Sequence, residues 1–188
     1  MTLDLDRFIA DCSDALAEST PTQAVSELVA RAVSDSAAAE QSLGSPERSG
    51  VQRIHVSETL TVLNVIWAPR MTLMPHDHRM WAVIGVYGGR EDNIFWRRRD
   101  QDSRGLIEAA GAKSLGPGDV RPLGPDVIHS VTNPTSKFTG AIHVYGGDFF
   151  TVERSEWDPE KLEEHPYDIE KNMKFFENAN AAFAGEEQ

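Results

Sequence analysis

Pro75-His76-Asp77-His78-Arg79-Met80-Trp81-Ala82-Val83-Ile84-Gly85-Val86-Tyr87-Gly88-Gly89 carries both the pattern and the chemistry of this chain. Side chains alternate faces along an extended segment, so His76 and His78 project to one side and Asp77 to the other. Two imidazoles on one face can share a metal ion. The run from Met80 to Tyr87 is apolar and rich in β-branched residues, and the glycine pair after it supplies a turn.

Outward from this stretch the texture persists. From Val51 to about Val152, short β-branched and aromatic runs alternate with Gly, Pro, Asp and Asn turns. Strands are expected at Leu60 to Trp67, Met80 to Tyr87, Asn93 to Arg98, Leu106 to Ala109, Val127 to Thr132 and Thr139 to Tyr145, with Arg53 in an earlier strand. Gly88-Gly89, Gly116-Pro117-Gly118 and Asn133-Pro134 mark the breaks. Many short strands punctuated in this way predict a mainly β barrel or jelly roll, because closure removes exposed sheet edges. His129 heads a strand just before the Asn133-Pro134 turn. Three imidazoles facing one another on a rigid barrel would leave neighbouring coordination positions open for substrate and oxygen.

Helical patterns flank the β region. Leu5, Phe8, Ile9, Cys12 and Leu16 form one apolar stripe; Val25, Leu28, Val29, Ala32 and Val33 form another, behind a Thr20/Gln23 capping layout with Pro21 at the first position. Residues 35–50 read as an exposed connection. After Trp157 a helix is expected, with Asp158 as cap and Pro159 as first residue, carrying Ile169, Met173, Phe176 and Phe183 on one side. The organisation is therefore an N-terminal helical pair in 1–50, a barrel in 51–153 and a C-terminal helical extension in 154–188, in one domain.

Bulk properties narrow the function classes. The 188 residues, 40% hydrophobic, suffice for one core. A net charge of −12 disfavours nucleic acid and anionic membranes. The basic run Arg97-Arg98-Arg99 is flanked by Glu91, Asp92, Asp100 and Asp102, as at a solvated strand end. Cys12 is the single cysteine, which excludes an internal disulfide and any cysteine-rich zinc or iron–sulfur site. With an acidic amino terminus and no apolar stretch of membrane-spanning length, a cytoplasmic location is expected.

The motifs resemble the cupin superfamily. A His-x-His pair followed by a strand ending at Gly89 resembles the first cupin motif, and Pro122-x-Gly124 followed by His129 and Asn133 resembles the second. The glutamate ligand usual in the first motif is absent, since Ala82 and Val83 stand where it would fall. A cupin with three histidines and no glutamate resembles the thiol dioxygenases, the cysteine dioxygenase-like group. Trp67, nine residues before His76, and Ala141-Ile142-His143-Val144-Tyr145, similar to that group's Ser-x-His-x-Tyr strand, extend the resemblance over residues 51–150.

The resemblance implies a double-stranded β-helix barrel that holds Fe(2+) through His76, His78 and His129. It also implies a small thiol and dioxygen as reactants and a sulfinate as product. His143 and Tyr145 would be the catalytic pair beside the metal, and Arg53 the best positional match for the arginine that pairs with a substrate carboxylate. His55 would be a secondary pocket-wall residue on the face of Arg53. Two departures matter. Ala141 replaces the serine of the relay, and Val83 falls where mammalian members carry a cysteine cross-linked to tyrosine, so Tyr145 is expected to be an unmodified phenol. Imidazole ligands also suit zinc, nickel or copper. Two alternatives stay open: a three-histidine cupin oxygenase or isomerase with a non-thiol substrate, and a non-catalytic cupin that binds a small ligand or metal. His165 reads as solvent-facing, and Met80, Trp81 and Trp96 read as core rather than pocket wall.

Overall fold

The computed structural model describes residues 2–100 and 104–186; Asp102 of the acidic flank lies outside the described residues. Three helices come first: α1 (Leu5–Ala15), α2 (Pro21–Val33) and α3 (Ser36–Leu43). α3 occupies what the sequence suggested was an exposed connection. Asp35 caps it by accepting the Ala38 N–H at 3.1 Å, and Ala39 and Leu43 are buried. Its Ala-rich run has high intrinsic helix propensity, and two buried side chains are enough to dock it even with few large apolar residues.

Eleven strands follow among the described residues: β1 (Gly50–Val56), β2 (Thr61–Trp67), β3 (Thr72–His76), β4 (Ala82–Gly88), β5 (Glu91–Arg98), β6 (Ile107–Leu115), β7 (Val120–Leu123), β8 (Ile128–Thr132), β9 (Thr139–Tyr145), β10 (Ser155–Trp157) and β11 (Glu164–Pro166). They form two antiparallel sheets, ordered β1-β2-β9-β4-β7 and β11-β10-β3-β8-β5-β6. The chain crosses repeatedly from one sheet to the other, β2 to β3 to β4 to β5 and again β7 to β8 to β9 to β10. That alternation is a double-stranded β-helix, the jelly-roll barrel expected.

The C-terminal helix starts later than predicted. Asp158 caps only a single turn, accepting from the backbone of Glu160 and Lys161, and the chain then forms β11 against β10. Helix α4 (Ile169–Glu186) begins beyond Pro166, with Asp168 accepting the Lys171 N–H at 2.9 Å. Proline biases its predecessor away from helical geometry, so the segment before it pairs as a strand.

Leu63, Val65, Ile84 and Val86 from one sheet meet Leu73 and Val131 from the other to form the barrel interior. The outer face of the five-stranded sheet is buried too, because Val62, Val83, Ile142 and Val144 pack against Phe8, Val25, Val29 and Val33 of the helices. β2, β4 and β9 are therefore nearly continuous apolar runs. Cys12 is sealed in this layer, where burial pushes its thiol up to about 12 and leaves it unreactive. The helices sit close because Gly85 has no side chain: a Cβ there would lie 2.4 Å from Val29 Cγ1. Gly85→Ala is accordingly expected to destabilise the fold by about 1–3 kcal/mol through overpacking. Urea unfolding of the two proteins measures this, and unchanged stability would show that α2 yields freely.

Candidate metal centre

β3 and β8 are hydrogen-bonded neighbours, and their register sets His76 directly opposite His129. His78 lies two residues beyond His76 on the same side. The three rings form a near-equilateral triangle, with centroids 4.7, 4.9 and 5.1 Å apart, and all three are buried. Asp77 points the other way, where it accepts the Ser155 N–H at 2.8 Å and pairs with Arg79 at 2.8 Å. Its carboxylate is thus withheld from the triangle.

Hydrogen bonds at the far side of two rings decide which nitrogens face inward. His76 Nδ1 lies 2.9 Å from the Met74 carbonyl and His129 Nδ1 lies 2.7 Å from Asn93 Oδ1. Each oxygen can only accept, so each Nδ1 must donate, and Nε2 is left as the bare donor atom for a metal. One candidate ligand atom from each ring falls within 4.8 Å of the others, and His78 Nε2 and His129 Nε2 are 3.3 Å apart. Two imidazole nitrogens about 2.1 Å from a shared ion, at angles between octahedral and tetrahedral, are separated by about 3.0–3.4 Å. The set fits a divalent metal with three protein ligands, and it is the only such group of His, Cys, Asp and Glu among the described residues.

Burial keeps these imidazoles neutral. Desolvation lowers His76 to about 4 and holds His78 and His129 well below the usual histidine range. The folded state therefore resists taking up protons that the unfolded chain binds readily. Stability is full above the unfolded value of 6.5 and is lost as pH falls towards 4, with roughly 3 kcal/mol at stake from His76 alone. Metal-free protein titrated with urea at a series of pH values should show this decline; a flat profile across that window would refute the burial of neutral rings.

The sequence-suggested catalytic pair lies beside the triangle. The Tyr145 ring centroid is 5.0 Å from that of His78, and its hydroxyl lies 3.0 Å from His143 Nδ1. Burial raises the phenol pKa, so Tyr145 stays protonated. Ala141 is fully buried and offers no hydroxyl to His143. Leu63, Val65 and Val131 wall the enclosed space, Phe149 and Tyr167 border it, and Met173 and Phe176 of α4 close it. The cavity is small, about 30 Å³.

Arg53 is not brought to this cavity. It is exposed, and its guanidinium lies 3.7 Å from the centroid of the Phe150 ring. His55 does not share its face either: Arg53 pairs with Leu63 but His55 with Val62, so the extra residue Ile54 forms a bulge that turns the alternation over. His165 is exposed as expected, though in β11 rather than at a helix end, and Met80 packs in the core. Trp81 and Trp96 pack against apolar clusters.

The sequence did not single out the arginine that does lie near the site. Arg154, 7% exposed, is held between the rings of Phe149 and Tyr167 at 4.1 and 4.0 Å, and it donates from Nη1 to the Phe149 carbonyl. Its Nε and Nη2 have no acceptor among the described residues. Its charge contributes to the lowered pKa values of His76 and His78. Glu91, which the sequence groups with the exposed acids around the arginine run, is 0% exposed; it accepts from Trp67 Nε1 and from Asn93 Nδ2, each at 3.0 Å. The one available signal was alternation, since Glu91 and Asn93 fall on the same face of β5 and Asp92 on the other.

Solved structures that overlay on this chain include oxalate decarboxylase from Bacillus subtilis, 18% identical over 50% of this chain and 22% of that one, with a TM-score of 0.40. A cupin 2 conserved barrel domain protein from Salinispora arenicola is 21% identical over 50% of this chain and 72% of that one, at 0.39. An RmlC-like cupin with a double-stranded β-helix fold from Methanocaldococcus jannaschii is 10% identical over 56% and 85%, at 0.44. The strand order of this barrel is by itself that of a double-stranded β-helix. The chain spans only about a fifth of the length of the oxalate decarboxylase it matches, and no family model matches it. No described helix is long and apolar enough to cross a membrane.

Proposed function

We propose that this barrel is a cupin and an iron-dependent dioxygenase that oxidises a small carboxylated thiol, of the cysteine or 3-mercaptopropionate type, to its sulfinate. One observation carries the reading: a buried guanidinium with unused donors stacks on Phe149 and Tyr167, two of the residues that line the cavity of the three neutral imidazoles and the protonated phenol. A divalent ion on His76, His78 and His129 would keep its full charge, because no carboxylate joins the set. Arg154, stacked on two residues of the cavity wall, would add a further positive charge held out of water. A ligand bearing both a thiolate and a carboxylate supplies the compensating negative charge at two points, whereas a neutral ligand supplies none.

The chain's own residues then have defined tasks. Arg154 presents a planar fork that grips a carboxylate through two parallel hydrogen bonds. Phe149, Met173 and Phe176 exclude water. Tyr145 stays a neutral phenol, and its hydrogen bond to His143 holds the hydroxyl in place beside the metal site. Bound ferrous iron would supply the redox chemistry that lets dioxygen react with a thiolate. The overall balance is RSH + O2 → RSO2H, with both oxygen atoms ending on sulfur and no external reductant required.

The test is a substrate panel on iron-loaded protein: cysteine, 3-mercaptopropionate and cysteamine, followed by oxygen uptake and sulfinate analysis. Sulfinate from at least one carboxylated thiol, with cysteamine a poor substrate, is expected. Silence across the panel with iron shown to be bound would eliminate thiol oxidation and leave the non-thiol and non-catalytic alternatives. Tyr145→Phe is expected to lower kcat about 10- to 100-fold with metal content unchanged, as for other groups that support a metal site from outside its ligands. Metal loss in that variant would give Tyr145 a different role.

A further inference from the structure

We infer that Glu91 is a positioning residue that sets the proton placement on both His129 and His143, and so ties metal ligation to the orientation of the Tyr145 hydroxyl. The inference rests on the proposed function only for its consequence in turnover; the proton placements follow from the geometry alone.

Glu91 projects from β5 of the six-stranded sheet into the barrel, and His143 projects from β9 of the facing sheet. One carboxylate oxygen, Oε1, accepts the Asn93 amide N–H at 3.0 Å. That bond fixes which way the Asn93 amide points, so Oδ1 faces His129 Nδ1 at 2.7 Å and obliges it to carry the proton. The other oxygen, Oε2, accepts the Trp67 indole N–H at 3.0 Å and faces His143 Nε2 at 3.6 Å. His143 Nε2 is buried and has no hydrogen-bond partner among the described residues, so a closure of a few tenths of an ångström completes the contact. An acceptor-only oxygen there selects the Nε2–H form of His143. Nδ1 is then a bare lone pair that can only accept, which turns the Tyr145 O–H, 3.0 Å away, into the donor.

The chemistry explains why this position holds a carboxylate rather than an amide. Both oxygens already receive N–H donors from Trp67 and Asn93. An amide NH2 in either place would confront a donor, and relief would require Asn93 to flip, which would present its own N–H2 to His129 Nδ1. With Ala141 in place of a hydroxyl residue, β9 brings no such partner two residues before His143. Glu91 reaches His143 across the barrel instead.

The full chain labelled with 15N-histidine, metal-free and zinc-loaded, reports each tautomer through long-range proton–nitrogen correlations. In the wild type, His143 is expected to carry its proton on Nε2 and His129 on Nδ1. A proton on His143 Nδ1, or on His129 Nε2 in the metal-free protein, overturns the inference without any variant being needed. Glu91→Gln is expected to shift at least one of the two tautomers and to weaken zinc binding about 10- to 100-fold. A folded Glu91→Gln with both tautomers and zinc affinity unchanged also overturns it, and if that variant does not fold the wild-type spectra still decide. Where thiol turnover is found, the loss in Glu91→Gln should fall on kcat rather than KM, because Glu91 does not touch the substrate. A silent thiol panel leaves the tautomer result standing, so the two failures are distinguishable.

Discussion

His78→Ala should abolish stoichiometric metal binding and turnover while leaving the fold intact. His78 is the cleanest of the three ligands to remove, because the bonds from His76 to the Met74 carbonyl and from His129 to Asn93 do not involve it. Its loss reduces the set to two buried imidazoles, and neither Asp77, engaged by Ser155 and Arg79 on the other side of the strand, nor Glu91, held by Trp67 and Asn93, is free to step in. The expected fall in affinity exceeds the roughly 100-fold that follows loss of a ligand's hydrogen-bonding partner. Metal analysis after desalting, alongside circular dichroism to verify the fold, measures it. Full metal content in a folded His78→Ala protein would dismantle the three-histidine centre and every chemical proposal built on it.

Replacing Arg154 should raise KM for carboxylated thiols about 10- to 150-fold, the equivalent of one charge-assisted hydrogen-bonding interaction of about 1.5–3 kcal/mol. Arg154→Lys keeps the charge but loses the planar fork, and Arg154→Met keeps the apolar stem but loses the charge; the first should be the milder of the two. Both variants also weaken the stacking on Phe149 and Tyr167, so some loss of stability is expected in each. The discriminating readout is therefore the substrate contrast. KM for cysteamine, which lacks a carboxylate, should change little, and Arg53→Ala, at an exposed position on Phe150, should leave all three thiols within about twofold of wild type. Equal losses for carboxylated and non-carboxylated thiols would strip Arg154 of the anchoring role.

The contrast between these two arginines shows where reading along the chain stops. Arg53 has the right sequence offset from Trp67 and a side chain on the inward face of β1, opposite Leu63. Exposure and stacking on Phe150 take it out of the cavity, and one extra residue in the strand turns His55 to the opposite face. Arg154 sits in the charged segment Glu153-Arg154-Ser155-Glu156, which along the sequence looks like solvated loop. Its burial depends on Phe149 and on Tyr167, thirteen residues further on, and on α4 closing the same end of the barrel. The burial of Glu91 is hidden along the chain for a related reason: charged residues are seldom fully buried unless paired, and its donors, Trp67 and Asn93, come together only when the two sheets face each other.

Local chemistry alone determined the elements whose pattern lies along a single strand: β2, β4, β5, β6, β8 and β9, the shared face of His76 and His78, the third imidazole at the head of β8, and the adjacency of His143 and Tyr145. These follow from short apolar runs bounded by turn residues and from the two-residue period of a pleated strand, both of which operate within a few residues. Tertiary packing decided the rest: which nitrogen of each ring faces the centre, which arginine is desolvated, and which carboxylate crosses the barrel to hold both histidines. Such choices depend on partners brought together from distant parts of the chain, and the cost of leaving a buried donor, acceptor or charge unmatched fixes them only once the barrel has closed.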